Sequence, residues 1–368
     1  MKSITPRKIT YIELRDGSYK KTYIPQDEKF EGVSSMTSFL RDALIACPTN
    51  NDDTKTAMYL MLDDGLEIGR CYMYGSRIKA GLETFDAQVF FGLEALEEYR
   101  NEGVGTSLLL YPLTNKEYDY VLVGGMTPMV IPMYKKMKYH IFEVPQYVKL
   151  LNSRYLLIPF GLSGIILKMA TGLCNGVIKL MDIPIRIRSK YLRKKFIVKK
   201  ESIIPEWAGE LATNDGHKYM EQHNREWLQW NLEHNSHGYK EDIQSFYTVS
   251  DKNGIPLGFF MTNERLKKTE GRIKNSIRGK LLEWGSYDFS VLSEADINLL
   301  ALSTYSSSVD LVMSIAGEND TAKRLKRMGF IQRGTFPIGI KDKKNVLKDA
   351  SDQRLWRLRF GYTNTNIY

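Results

Sequence analysis

Along the chain, apolar residues alternate with polar ones or cluster in short runs bounded by turn residues. Those are the marks of strands, and stretches of helical spacing lie between them. Residues 8–14 alternate as a strand, and Arg15-Asp16-Gly17-Ser18 predicts the turn of a hairpin with residues 19–24. Ser34 or Ser35 is expected to cap a helix that runs to Ala46 and stops at Cys47-Pro48. Strands are predicted over 55–62 and 67–74, joined by Asp63-Asp64-Gly65, and over 86–93. A glycine-rich turn follows, then a helix to Pro112, a strand over 120–124, a helix over 130–137 and a strand over 139–150.

From residue 203 the order recurs. A helix is predicted over 215–233, a hairpin over 245–250 and 255–262 about Asp251-Lys252-Asn253-Gly254, and a strand over 280–289. Ser293-Glu294-Ala295-Asp296 has the form of a helix cap. A strand over 309–315, a helix over 319–328 and strands over 330–340 and 354–360 complete the series. The expectation is an α+β fold built twice: residues 1–150, a connector over 151–202, and residues 203–368. Each copy would be a mostly antiparallel mixed sheet flanked by helices.

The most informative stretch is Glu98-Tyr99-Arg100-Asn101-Glu102-Gly103-Val104-Gly105-Thr106, set between an apolar strand and a leucine-rich helix. Glycines let a backbone approach a ligand closely, and the first N–H groups of a helix attract an anion such as pyrophosphate. With the order of elements around it, this stretch resembles the Gcn5-related N-acetyltransferase family. Arg100-Asn101-Glu102-Gly103-Val104-Gly105 matches that family's Arg/Gln-x-x-Gly-x-Gly/Ala loop, and Tyr134-Lys135-Lys136-Met137-Lys138-Tyr139 is similar to its later Tyr-x-x-x-Gly-Phe segment.

The resemblance covers residues 8–150. It implies acetyl-CoA as co-substrate, held by Leu93, Glu94, Arg100, Asn101, Glu102, Gly103, Val104, Gly105 and Thr106. It also implies transfer of an acetyl group to a primary amine such as an amino sugar; no metal is expected, because the five histidines show no metal spacing. Backbone N–H groups of Phe91, Gly92, Leu93 and Glu94 would meet the thioester carbonyl, and Tyr134 would be the general acid; otherwise Tyr134 is a core tyrosine on an apolar helix face. Glu94, Glu83 and Asp86 are candidates for the base. Glu97, Glu98 and Glu102 place negative charge beside the loop.

Leu325-Lys326-Arg327-Met328-Gly329-Phe330 aligns with residues 134–139, yet has Leu325 where the first copy has Tyr134. The strand-to-helix turn of the second copy, Ser290-Val291-Leu292-Ser293-Glu294-Ala295-Asp296, has no glycine and two carboxylates. The second copy is therefore expected to be degenerate, completing a substrate cleft or binding a partner. Trp227 and Trp230, with Trp207, Tyr239 and nearby histidines, form an aromatic region suited either to stacking on sugars or to a core.

Composition narrows the setting. The net charge of +9 points to acidic partners. Residues 155–178 carry one charge, Lys168, and 186–200 carry eight basic residues and no acidic one. That pair of segments fits either a peripheral contact with an anionic membrane or an interdomain connector with a solvated basic face. Glycines and Pro159 within 155–178 argue against a spanning helix. Three cysteines at unrelated spacings and no secretory signal suit the cytoplasm. Two other readings stay open: a Fem-like aminoacyltransferase using aminoacyl-tRNA, which the intact glycine turn disfavours, and a non-catalytic acyl-CoA-binding module.

Overall fold

The strand Thr56–Asp63 sends Met58, Leu60 and Leu62 into one buried cluster and Tyr59 and Met61 into another on its opposite side. The same division recurs at Tyr120 and Leu122 against Val121 and Val123. Strands that are apolar on both sides belong inside a sheet covered on both faces. In the computed structural model, which describes residues 3–26, 29, 36–50, 52–214, 216–234, 242–270, 273–317 and 319–361, that sheet has 14 strands.

The first elements are β1 (Ile4–Thr10), α1 (Tyr11–Asp16), α2 (Ser38–Ile45), β2 (Thr56–Asp63), β3 (Leu66–Ala80), β4 (Glu83–Ala95), α3 (Val104–Thr114), β5 (Tyr120–Gly124), α4 (Ile131–Lys136) and β6 (His140–Leu150). Then come α5 (Arg154–Leu157), α6 (Gly164–Met181), α7 (Ile183–Lys195), β7 (Ile197–Glu201), α8 (Glu206–Thr213), β8 (Tyr219–Glu221) and α9 (Arg225–His234). The last are β9 (Ile243–Ser250), β10 (Pro256–Glu270), β11 (Ile273–Ser286), α10 (Glu294–Leu302), β12 (Leu311–Ile315), α11 (Asn319–Arg327), β13 (Ile331–Asp342) and β14 (Trp356–Arg357).

The main path of the sheet is β1-β2-β3-β4-β5-β13-β6-β12-β11-β10-β9-β7. Read inward from either end, five strands come from one half of the chain and the sixth from the other half. In each half the fourth and fifth strands are parallel, β4 with β5 and β11 with β12, and the exchanged strand is antiparallel to the fifth. β6 and β13 pair with each other, Ile338 opposite Phe142, so one hydrogen-bonded sheet crosses the molecule. The fold is α+β, with α3 and α4 on one face and α2, α8 and α9 on the other.

Several local expectations change. The hairpin predicted over 8–24 is absent, because the Thr10 N–H and hydroxyl both donate to Glu13 Oε2 (2.8 and 3.0 Å) and the chain turns into α1. Tyr11 and Leu14, three apart, are then buried on one side of that helix. Ser34 and Ser35 lie outside the described residues; α2 is capped by Thr37, whose hydroxyl accepts from the Leu40 N–H at 3.1 Å. The helix expected over 215–233 divides into β8 and α9, with Asp215 outside the described residues, and α8 precedes it unpredicted. The expected last strand over 354–360 shrinks to β14.

Candidate functional site

β4 departs from regular pairing near its end. Tyr72 of β3 stands opposite Phe91, but Arg70 stands opposite Glu94, so β4 carries one extra residue there. Gly92 takes it up at φ +63°, a conformation that favours glycine. β4 pairs with β5 only through residues 87–90, while β5 continues on its other side with β13 and the Gly125 N–H reaches the Pro337 carbonyl at 3.0 Å. The β5-facing edge of residues 91–95 is therefore turned to a gap between diverging strands.

The predicted loop closes one end of this gap. Arg100, Asn101 and Glu102 lie in a 3₁₀ turn (Glu97–Glu102), with Asn101 and Glu102 exposed. Gly103 precedes α3 at φ +76°, and no side chain among the described residues caps the helix. The N–H groups of its first turn, including Val104, Gly105 and Thr106, are those a helix leaves unbonded, and its dipole favours an anion there. Among the described residues, and apart from the helix's own backbone and the two chain neighbours, no atom lies within 4 Å of the Cβ position of Gly105. Val104 faces inward, where a Cβ on Gly69 of β3 would come within 2.5 Å of its Cγ1. Gly69 thus lets α3 rest directly on β3, a requirement created by a contact across the sheet.

Glu94, on the gap-lining stretch, sits 3.8 Å from the buried Arg70 guanidinium, which also meets Glu67 at 3.2 Å. Glu83 and Asp86 are at the opposite end of β4, and Asp86 is 3.8 Å from Arg77. At about 3.3 Å per residue they stand roughly 20 Å or more from the bulge, so the structure separates them from Glu94. Tyr134 is buried on α4, its ring 4.9 Å from Tyr139 at 80°. It shares a cluster with Phe90, the last β4 residue paired with β5, with Met126 just past β5, and with Val104. Leu93, Glu94, the turn and the start of α3 are thus placed along one edge of the gap, with Tyr134 packed among the residues that flank it.

Past the end of β5 lies a cavity of about 300 Å³ at the seam of the two halves. Gly125, Met126 and Thr127 form one wall, and Gln146, Arg278 and Lys280 line the others. Lys280 is buried, and burial followed by the nearby Arg265 and Lys267 pushes it well below the usual lysine range. Arg278 donates to the Tyr155 hydroxyl at 3.0 Å. Sequence reasoning missed both residues. Their signal was a pair of cations inside a strand that continues as Leu281-Leu282.

The corresponding slot of the second half is narrowed from within. β11 pairs with β12 only over 278–280, and the Gly361 N–H then bonds to the Leu282 carbonyl at 2.8 Å. Arg359 lies 3.9 Å over Trp284 and 3.5 Å from Glu294 at the start of α10. The Ser293 hydroxyl caps α10 by accepting from the Asp296 N–H at 3.2 Å. Residues 356–361 and Glu294 so line the second slot, around a cavity of about 270 Å³ that Trp284 and Ala316 also border. Trp227 and Trp230 are buried, with Trp227 stacked on His223 at 3.5 Å, and form core instead of a sugar platform. Tyr239 and His237 lie outside the described residues.

No protein-family model and no curated protein matches the chain. Solved structures do. Saccharomyces cerevisiae N-myristoyltransferase with bound myristoyl-CoA is 10% identical at a TM-score of 0.57, covering 93% of this chain and 79% of that one. An Enterococcus faecalis protein of unknown function, described as a probable N-acyltransferase, is 10% identical at 0.53 over 93% of this chain and 73% of that one. A GCN5-related N-acetyltransferase from Anabaena variabilis is 9% identical at 0.51, over 92% and 73%. These likenesses show the fold: that of the Gcn5-related N-acetyltransferases, shared with N-myristoyltransferase.

Proposed function

We propose that the chain is an acyl-CoA-dependent N-acyltransferase working through the β4–β5 gap and the start of α3. One observation carries this reading: among the described residues no side chain caps the glycine-lined helix end of the first slot, whereas residues 356–361 line the edge of the second and two carboxylates stand at its helix start. The fold neighbours support it, since their descriptions name N-acyltransferases and bound myristoyl-CoA. In this reading the N–H groups of Gly103, Val104, Gly105 and Thr106 hold the pyrophosphate, with Arg100, Asn101 and Glu102 on its approach.

Acyl-CoA supplies an activated thioester. N–H groups on the free edge at Leu93 and Glu94 stabilise charge on its carbonyl oxygen, each such donor contributing roughly 3 kcal/mol to barrier lowering. The amine attacks the carbonyl carbon, the C–N bond forms and the C–S bond breaks. Tyr134 gives its proton to the departing sulfur, and Glu94 takes the surplus proton of the amine, directly or through water. The acyl group is proposed to be acetyl, after the GCN5-related neighbour.

The acceptor is placed in the seam cavity. With Arg278 and Lys280 in its walls, it suits an amine bearing an acidic group, such as a phosphorylated amino sugar. The free thiols Cys47, Cys71 and Cys174 support a cytoplasmic setting.

Acetyl-CoA consumption with amines in matched acidic and neutral pairs tests this reading. The expected result is turnover, with the acidic member of a pair favoured about tenfold. Binding of acetyl-CoA without turnover on any amine would point to the binding module instead. Salt-sensitive tRNA binding without acyl-CoA use would favour the aminoacyltransferase.

A further inference from the structure

Among the described residues, α6 is the one helix long and apolar enough to cross a bilayer, with 18 residues and no part of it buried. The glycines within it, which argued against a spanning helix in the sequence, do not interrupt it. At 1.5 Å per residue it is about 27 Å long, near the roughly 30 Å of a hydrocarbon core. Length therefore does not decide between spanning a bilayer and lying on one.

Its tethers decide. The Ser153 N–H and hydroxyl both donate to Asn175 Oδ1 at 2.8 Å, and the same hydroxyl lies 3.2 Å from the Thr171 carbonyl. Just past the end of the helix, Asp182 accepts from the buried Lys149 at 2.7 Å. Ser153 and Lys149 belong to the body of the protein, so α6 is held along its middle and at its C-terminal end. A helix held in this way lies flat.

At 3.6 residues per turn, Thr171, Asn175 and Asp182 share one side of the helix. Ile166, Met169, Leu173, Val177 and Leu180 fall on the other, where they are 67, 71, 75, 51 and 67% exposed. α7 follows directly. It is fastened to α10 by Arg188, 3.0 Å from Asp296, and by Arg193, which donates to the Ser303 carbonyl at 2.8 Å. Arg186, Lys190, Lys194 and Lys195 remain exposed on it, beside exposed Ile187 and Tyr191.

We propose that α6 and α7 form a membrane-docking surface, with α6 lying in the interface of an anionic bilayer, its aliphatic stripe among the acyl chains and the α7 cations on the lipid headgroups. Charge selects this occupant. The apolar stripe is followed by basic residues 186–200 with no carboxylate among them, which complements an anionic lipid surface. The docked pose also has a consequence for the site. Ser153 is two residues from Tyr155, which lines, with Arg278 and Arg333, a cavity of about 180 Å³ that shares Gln146 and Met313 with the seam cavity. An acceptor carried on a lipid would thus be presented beside the acceptor cavity.

Co-sedimentation of the full chain with vesicles tests the surface without acyl-CoA, so its outcome is separate from that of the acyltransferase reading. Vesicles of phosphatidylcholine mixed with phosphatidylglycerol should bind the protein, and phosphatidylcholine alone should bind it at least about tenfold less. Leu173→Glu, at an exposed position, should weaken binding about tenfold with thermal unfolding unchanged, and Lys190→Glu with Lys194→Glu should remove the salt-sensitive part. Equal binding to both vesicle types, or no effect of these variants, overturns the proposal. So does a dimer in sedimentation that Leu173→Glu dissociates, because the stripe would then be the contact between two copies of the chain.

Discussion

Tyr134 and Leu325 occupy equivalent positions. Each is buried, and each backbone carbonyl accepts from the N–H five residues on, Tyr139 and Phe330, at 3.1 Å. The residue before each aromatic is left-handed, Lys138 at φ +59° and Gly329 at φ +78°. The two segments therefore share a backbone device and differ in the side chain it carries, a phenol in one and an aliphatic group in the other. Tyr134→Phe keeps the ring against Tyr139 and removes only the proton donor. Steady-state kinetics should show kcat lowered about a hundredfold with KM for acetyl-CoA little changed; an unchanged kcat removes Tyr134 from the mechanism. This asymmetry could be read in the sequence, as could the glycine turn, because both lie within a few consecutive residues. The need for glycine at Gly69 could not, since it comes from Val104 across the sheet. Nor could the bulge at Gly92, which is defined by its partners on β3.

Among the elements, the segment that lines the second slot is held by a buried charge network. Glu283 of β11 meets His223 Nδ1 and Arg357 Nη2 of β14, both at 2.6 Å, and Glu221 of β8 lies 3.5 Å from His223 Nε2. Burial works against protonation of His223, but Glu221 and Glu283 outweigh it and raise its pKa above the ordinary 6.5. A raised histidine contributes stability that is complete below 6.5 and is lost as pH rises through the higher folded value. Melting curves of wild type and His223→Gln across that window should therefore converge as the pH rises; a constant difference in Tm contradicts the role given to His223. The sequence announced most strands here, because apolar runs mark them. It overextended the closing segment as a strand over 354–360, because only two residues of it pair as strand, β14 on β8, and the rest is held by side chains from β11 and α10 and by the Gly361 N–H on the Leu282 carbonyl.

Across the whole molecule, the exchange of β6 and β13 joins the halves into one sheet and places Arg278 and Lys280 of the second half beside the end of β5 in the first. Element order could be read from the sequence because it depends on local periodicity; strand neighbours could not, because they depend on contacts nearly 200 residues apart, as between Phe142 and Ile338. The exchange also lets the second half supply walls, Arg278 and Lys280, to the cavity at the end of β5. Calorimetric titration with acetyl-CoA of wild type and of Gly105→Glu tests most directly whether the open slot is the cofactor site. Among the described residues no atom crowds the Gly105 Cβ position, and a carboxylate at a helix start favours the fold while repelling pyrophosphate. One acetyl-CoA per wild-type chain and none in the folded variant is the expected result; two per chain, or binding that survives Gly105→Glu, contradicts it.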